Sequence, residues 1–150
     1  MSEALFVDTG YVIALINQND QHHQQALHLA DRYDGHPLIT TDAVLLEIGN
    51  ALSRLARNEA ATIIRYFQTA SEVTLVPLTP DLMATALDLY AQHQDKTWGL
   101  VDCVSFVVMR TRHLSAVLGF DRHLGHPTPH PSRKSPLIGF STDYQAIPTE

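Results

Sequence analysis

Ala4-Leu5-Phe6-Val7-Asp8-Thr9-Gly10 takes four apolar residues straight into an acid, a hydroxyl and a glycine. A bare apolar run this short reads as a strand buried on both faces, and the Asp-Thr-Gly as the turn that stops it. The same grammar continues outward. Residues 11–16 read as a short helix. Residues 21–33 read as a second, with Ala26, Leu29, Ala30 and Tyr33 at helical spacing. Pro37-Leu38-Ile39-Thr40 is a second strand, after which Thr41 or Asp42 offers a side-chain oxygen to cap a helix over 43–57. A helix over 58–70 leads to a third strand, Val73-Thr74-Leu75-Val76, closed by Pro77. Thr79 caps a helix over 80–93 with proline in its first turn. A strongly apolar helix over 99–111 precedes a fourth strand, Ala116-Val117-Leu118. Bare apolar strands alternating with helices predict an α/β sandwich around a mostly parallel sheet. Residues 125–136, GHPTPHPSRKSP, read as a loop, because neither a regular helix nor a central strand tolerates that much proline. Leu137-Ile138-Gly139-Phe140 reads as a last edge strand, with a tail to residue 150.

The composition fits one domain. The chain has 150 residues, 45% hydrophobic and 17% charged, enough to bury a core and too short for two ordinary ones. The single cysteine, Cys103, excludes a disulfide framework and a cysteine-based zinc site, and reads as a reduced thiol of a cytoplasmic protein. No apolar run approaches the length that spans a bilayer, and Met1-Ser2-Glu3-Ala4 lacks the basic start of a signal peptide. A net charge of −6 argues against a broad basic face for nucleic acid, yet leaves room for a cluster of carboxylates. No internal repeat or coiled-coil heptad is present.

Four acids stand where the surrounding pattern disfavours charge. Asp8 follows a buried strand directly, at the kind of strand end where α/β proteins bind ligands. It reads equally as a turn or cap residue. Asp121 ends the fourth strand in the same way, with Asp121-Arg122-His123 as a simple turn for its plainer reading. Asp102 lies in the apolar helix, where a carboxylate without a partner is expensive. A cation, an arginine or backbone donors must compensate it, and capping the helix N-terminus is the structural alternative. Glu47 borders the apolar stripe Val44, Ile48, Ala51/Leu52 and Leu55 of its helix, or is an ordinary flanking acid. Converging at one sheet edge, such acids form a hard-oxygen site for Mg²⁺ or Mn²⁺. A cation there can bind a phosphate oxygen and neutralise developing charge, which is the chemistry of phosphodiester hydrolysis.

On these residues the chain resembles the PIN domain family. The resemblance is carried by Phe6-Val7-Asp8-Thr9-Gly10-Tyr11, Thr40-Thr41-Asp42-Ala43-Val44-Leu45-Leu46-Glu47-Ile48, Leu100-Val101-Asp102-Cys103-Val104-Ser105-Phe106 and Phe120-Asp121-Arg122-His123-Leu124, in the family's order. It implies a three-layer α/β/α sandwich and a Mg²⁺- or Mn²⁺-dependent endoribonuclease similar to the VapC toxins of toxin–antitoxin modules. Asp8, Glu47, Asp102 and Asp121 become an acidic tetrad that is both catalytic and metal-binding. Thr9 helps place a ligand or water, and Arg54, Arg57, Lys96 and Arg122 contact the RNA backbone, their plainer reading being a solvated surface. An antitoxin protein and a homodimer are the implied partners. Asp20-Gln21-His22-His23 corresponds to a short structural segment. The chain departs from the family in carrying Leu124 where Phe is usual, Gly119 where Thr or Ala is usual, and Gly139-Phe140 only after the Pro/His-rich stretch.

Three other readings compete. Val7-Asp8-Thr9-Gly10 is also the string of aspartic proteases, which need a second copy in an all-β fold to pair two acids. The nine histidines could be drawn as metal clusters (His22, His23 and His28, or His113, His123, His126 and His130), but none has HExxH or Cys/His spacing. An inactive PIN-fold module that binds RNA or protein without cutting is the alternative to the nuclease.

Overall fold

The computed structural model describes residues 3–120. Its strands are β1 (Leu5–Val7), β2 (Leu38–Thr41), β3 (Val73–Val76) and β4 (Val117–Leu118). The helices are α1 (Thr9–Ile16), α2 (His23–Arg32), α3 (Asp42–Ala51), α4 (Arg57–Thr69), α5 (Pro80–Gln92) and α6 (Leu100–Thr111). The sheet order is β3-β2-β1-β4 and every neighbouring pair is parallel. With the helices packed around it, this is the α/β/α architecture that the resemblance implies.

β1 lies inside the sheet and is buried along its whole length, which is why its sequence is a bare apolar run rather than an alternation. Thr40 and Thr41 are the buried polar residues of the neighbouring strand. The Thr40 hydroxyl donates to the Val7 carbonyl at 3.0 Å, tying β2 to β1. Two cores hold the layers. The larger joins β1 and β4 to α1, α2, α3, α4 and the end of α6 through Phe6, Val12, Leu29, Ile48, Leu52, Phe67 and Met109. The smaller lies between α5, α6 and the start of α3, around Ala86, Leu89, Trp98, Val104 and Phe106. α6 is buried continuously from Cys103 to Met109, as its apolar sequence predicts.

The helix expected over 43–57 ends early, and the helix expected over 58–70 begins at Arg57. α3 stops at Ala51, residues 52–55 turn, and Arg57 opens α4. Side chains compete with the helix here. The Ser53 hydroxyl donates to the Asn50 carbonyl at 3.0 Å, and Arg57 Nε donates to the Ser53 carbonyl at 3.1 Å. The apolar stripe accordingly ends at Leu52, which is buried, whereas Ala51 is exposed and Leu55 is 60% exposed. Arg54 and Arg57 therefore do not share the helix that carries Glu47. Asp121, Arg122, the stretch 125–136 and the strand expected at 137–140 lie outside the described residues. No helix among the described residues is long and apolar enough to cross a membrane.

Candidate active site

Asp8 leaves β1 at its carboxyl end and becomes the N-cap of α1, where its Oδ1 accepts the Thr9 N–H at 2.9 Å. The backbone around it is locked into the sheet, since the Asp8 N–H donates to the Leu118 carbonyl at 3.0 Å. The wall beside its side chain is Gly119. A Cβ at that position would lie 3.1 Å from Asp8 Cβ, 3.4 Å from Asp8 Oδ2 and 3.3 Å from Val117 Cγ1. Glycine at this departure from the family pattern thus leaves the first acid the space it occupies.

Thr9 is buried, and its Oγ1 has no hydrogen-bond partner among the described residues. A buried hydroxyl in that condition costs about 1–3 kcal/mol. An additional polar group beside Asp8 would remove the deficit.

Asp102 sits in the first turn of α6, half-buried, and its Oδ2 accepts the Gly99 N–H at 2.8 Å. The compensation that its apolar setting demands includes this backbone donor and the helix N-terminus itself. The capping and site readings of Asp102 are compatible, because a carboxylate has lone pairs for both. The adjacent Cys103 is no nucleophile in this state. Burial, and secondarily the Asp102 carboxylate, push its thiol up to about 11.

Glu47 lies on the second turn of α3, between buried Val44 and Ile48, and is itself half-buried with no hydrogen-bond or ion-pair partner among the described residues. α3 enters from the carboxyl end of β2, capped by Thr41, whose Oγ1 accepts the Val44 N–H at 3.2 Å. It packs against both α1 and α6. The topology therefore brings the elements carrying Asp8, Glu47 and Asp102 to one edge of the sheet. As placed, no group of three or more His, Cys, Asp or Glu side chains among the described residues could by itself hold a metal ion. In chemistry the donors do fit a hard divalent cation: carboxylate oxygens and an unsatisfied hydroxyl, with no thiolate or imidazole required.

The basic candidates are dispersed. Arg54 is exposed in the turn after α3, and Arg57 is exposed at the start of α4. Lys96 is exposed in the loop before α6, 3.8 Å from Asp95 and 5.8 Å from the centre of the buried Trp98 ring. A groove lined by Ile16, Asn58, Glu59, Thr62, Ile63 and Tyr66 runs along α4, and none of the candidate acids lines it. Two features escaped the sequence, the close approach of Gly119 to Asp8 and a stack between His22 and Phe120. Both join residues about a hundred positions apart, for which no periodicity gives a signal.

The PIN domain family matches residues 5–127. Among curated proteins, the 23S rRNA-specific endonuclease VapC20 of two Mycobacterium tuberculosis strains, CDC 1551 / Oshkosh and H37Rv, is 29% identical over 119 residues. That alignment covers 78% of this chain and 88% of the relative. Among solved structures, the crystal structure of M. tuberculosis VapC20, described as a sarcin-ricin loop cleaving toxin, superposes with a TM-score of 0.71. Its sequence identity is 28%, over 78% of this chain and 89% of that one.

Proposed function

The chain belongs to the PIN domain family, and on that premise we propose that it is a metal-dependent endoribonuclease, the toxin of a VapBC-type toxin–antitoxin module. The observation that carries the reading is the position of its acids. Asp8 stands at the carboxyl end of an interior strand, Glu47 on the helix that follows the next strand, and Asp102 in the first turn of the helix packed against that one. Asp121 follows two residues after Gly119, the residue that walls Asp8.

In this reading Asp8, Glu47, Asp102 and Asp121 hold Mg²⁺ or Mn²⁺. The cation supplies Lewis acidity at a phosphate oxygen and acidifies water. The chain's own residues do the rest. The helix N-termini of α1 and α6 offset the mutual repulsion of Asp8 and Asp102. The buried Thr9 hydroxyl donates to a phosphate oxygen or an attacking water at the site. Arg54, Arg57, Lys96 and Arg122 neutralise RNA phosphates on either side of the scissile bond. The protein partners in this reading are an antitoxin and a second copy of the chain, in the cytoplasm.

The test is cleavage of large-subunit ribosomal RNA, the substrate class named for the VapC20 relatives, by purified protein with Mn²⁺ or with EDTA. Cutting that requires the cation and falls at least about a hundredfold in Asp102→Asn supports the nuclease. Cutting that survives EDTA refutes the metal mechanism. Absence of both cutting and Mn²⁺ binding favours the inactive binding module.

A further inference from the structure

The loop between α5 and α6 is His93-Gln94-Asp95-Lys96-Thr97-Trp98-Gly99, and it leads straight into the turn that carries Asp102. Its one apolar side chain is Trp98, the single tryptophan of the chain. The Trp98 ring is buried in the smaller core. It makes a T-shaped contact with Phe106 of α6, with centroids 4.8 Å apart and planes 73° from parallel. The His93 ring leans on it from the end of α5, at 5.4 Å and 54°. Trp98 is thereby fixed to both helices, and the residue after it, Gly99, donates its N–H to Asp102.

Lys96 is gathered onto this ring. Its backbone N–H closes a turn on the His93 carbonyl at 3.1 Å. Its ammonium lies 5.8 Å from the centre of the Trp98 ring, within cation–π range, and its side chain keeps 43% of its exposure. Asp95 shares the ammonium at 3.8 Å, but its own side chain is 74% exposed, and so long a pair in solvent is weak enough to yield to a phosphate. Three steps of chain separate Lys96 from Gly99, at most about 11 Å. We propose that Trp98 is a positioning residue for RNA binding: its buried ring holds the Lys96 ammonium beside Asp102, where it neutralises a phosphate next to the acids. The inference rests on the nuclease reading only in placing RNA over those acids. Trp98 acts through Lys96, because its own ring is covered.

The experiment measures binding of a short labelled single-stranded RNA of mixed sequence by fluorescence anisotropy, in EDTA, over a series of KCl concentrations. The full-length proteins compared are wild type, Lys96→Gln, Trp98→Leu, Trp98→Phe and the Lys96→Gln/Trp98→Leu double variant. Each phosphate neutralised on a single strand contributes about 0.7 to the slope of log K against log salt. Lys96→Gln lowers the slope by about that amount. Trp98→Leu lowers it as far, although the lysine is still there, and Trp98→Phe, which keeps a ring face, restores it. The double variant falls no further than Lys96→Gln, an outcome that general loosening of the fold does not give. A wild-type slope in Lys96→Gln or in Trp98→Leu overturns the proposal, and so does a further loss in the double variant. Should Trp98→Leu fail to fold, the native tryptophan is itself the probe. Its emission changes at saturating RNA in wild type, as the phosphate draws on the ammonium over the ring, and does not change in Lys96→Gln. Emission that RNA leaves unaltered in wild type, or alters equally in Lys96→Gln, overturns the proposal. A wild type that binds no RNA overturns it at its premise. The expected slopes in a protein that cuts nothing with Mn²⁺ uphold it while favouring the inactive binding module over the nuclease.

Discussion

Asp8 has one carboxylate oxygen engaged by the start of its own helix and the other facing a residue with no side chain. A side chain at Gly119 would therefore be tight against this acid. Gly119→Ala brings a methyl to 3.1 Å from Asp8 Cβ and 3.3 Å from Val117 Cγ1, close to the backbone and unable to swing away. We expect a loss of about 1–3 kcal/mol in urea unfolding from overpacking, with RNA cleavage reduced because Asp8 must shift. An unchanged cleavage rate at reduced stability would show that Asp8 tolerates the shift. Cys103 gives a second prediction. It is fully buried and its thiol is held at about 11. Iodoacetamide at pH 8 should leave it unmodified in the native protein and alkylate it in urea, as followed by mass spectrometry.

At the level of elements, α6 separates a cap from a charge. Asp102→Asn keeps an oxygen for the Gly99 N–H, whereas Asp102→Ala removes it. Both variants should lose cleavage, but the alanine should unfold about 1 kcal/mol more easily than the asparagine, the value of one cap. Equal midpoints would mean that the Gly99 contact contributes nothing to the helix. This element was legible in the sequence because its apolar run made Asp102 conspicuous. The helices α1, α2 and α5 and the strands were legible for related reasons, in runs and caps written locally. The early end of α3 at Ala51 was not. Its cause is Ser53 hydrogen-bonding Asn50, a competition between side chain and helix that hydrophobic spacing does not encode. Two arginines were placed on the wrong element as a result. The wall of Asp8 was illegible for another reason, since it is made by a residue distant in sequence whose relevance is the absence of a side chain.

For the whole molecule, pH acts through tyrosines. Burial pushes the Tyr11 phenol up to about 12, and a hydrogen bond to Glu72 does the same for Tyr66, assisted by burial. A raised pKa means that the folded state keeps its proton when the unfolded chain, near pH 10, has begun to lose it. The stabilisation is complete below pH 10 and disappears between 10 and 12. Glu72 works on the opposite flank. The phenol holds its carboxyl below 4.5, so its contribution is present above that pH and is lost under acid. Urea midpoints measured across pH should fall at both ends, and Tyr66→Phe should flatten the acid flank while leaving the Tyr11 part of the alkaline one. A midpoint constant from pH 9 to 12 would contradict the environment of Tyr11.

The parallel pairing of β1 with β4 also has a temporal side. The Asp8 N–H finds its acceptor on Leu118, more than a hundred residues later. A ribosome making this chain releases the first acid early, but that acid has no seat until the fourth strand has emerged behind it. The first acid therefore takes its place only after residue 118 has been made. A site built in this way stays incomplete while the residues before the fourth strand are being made.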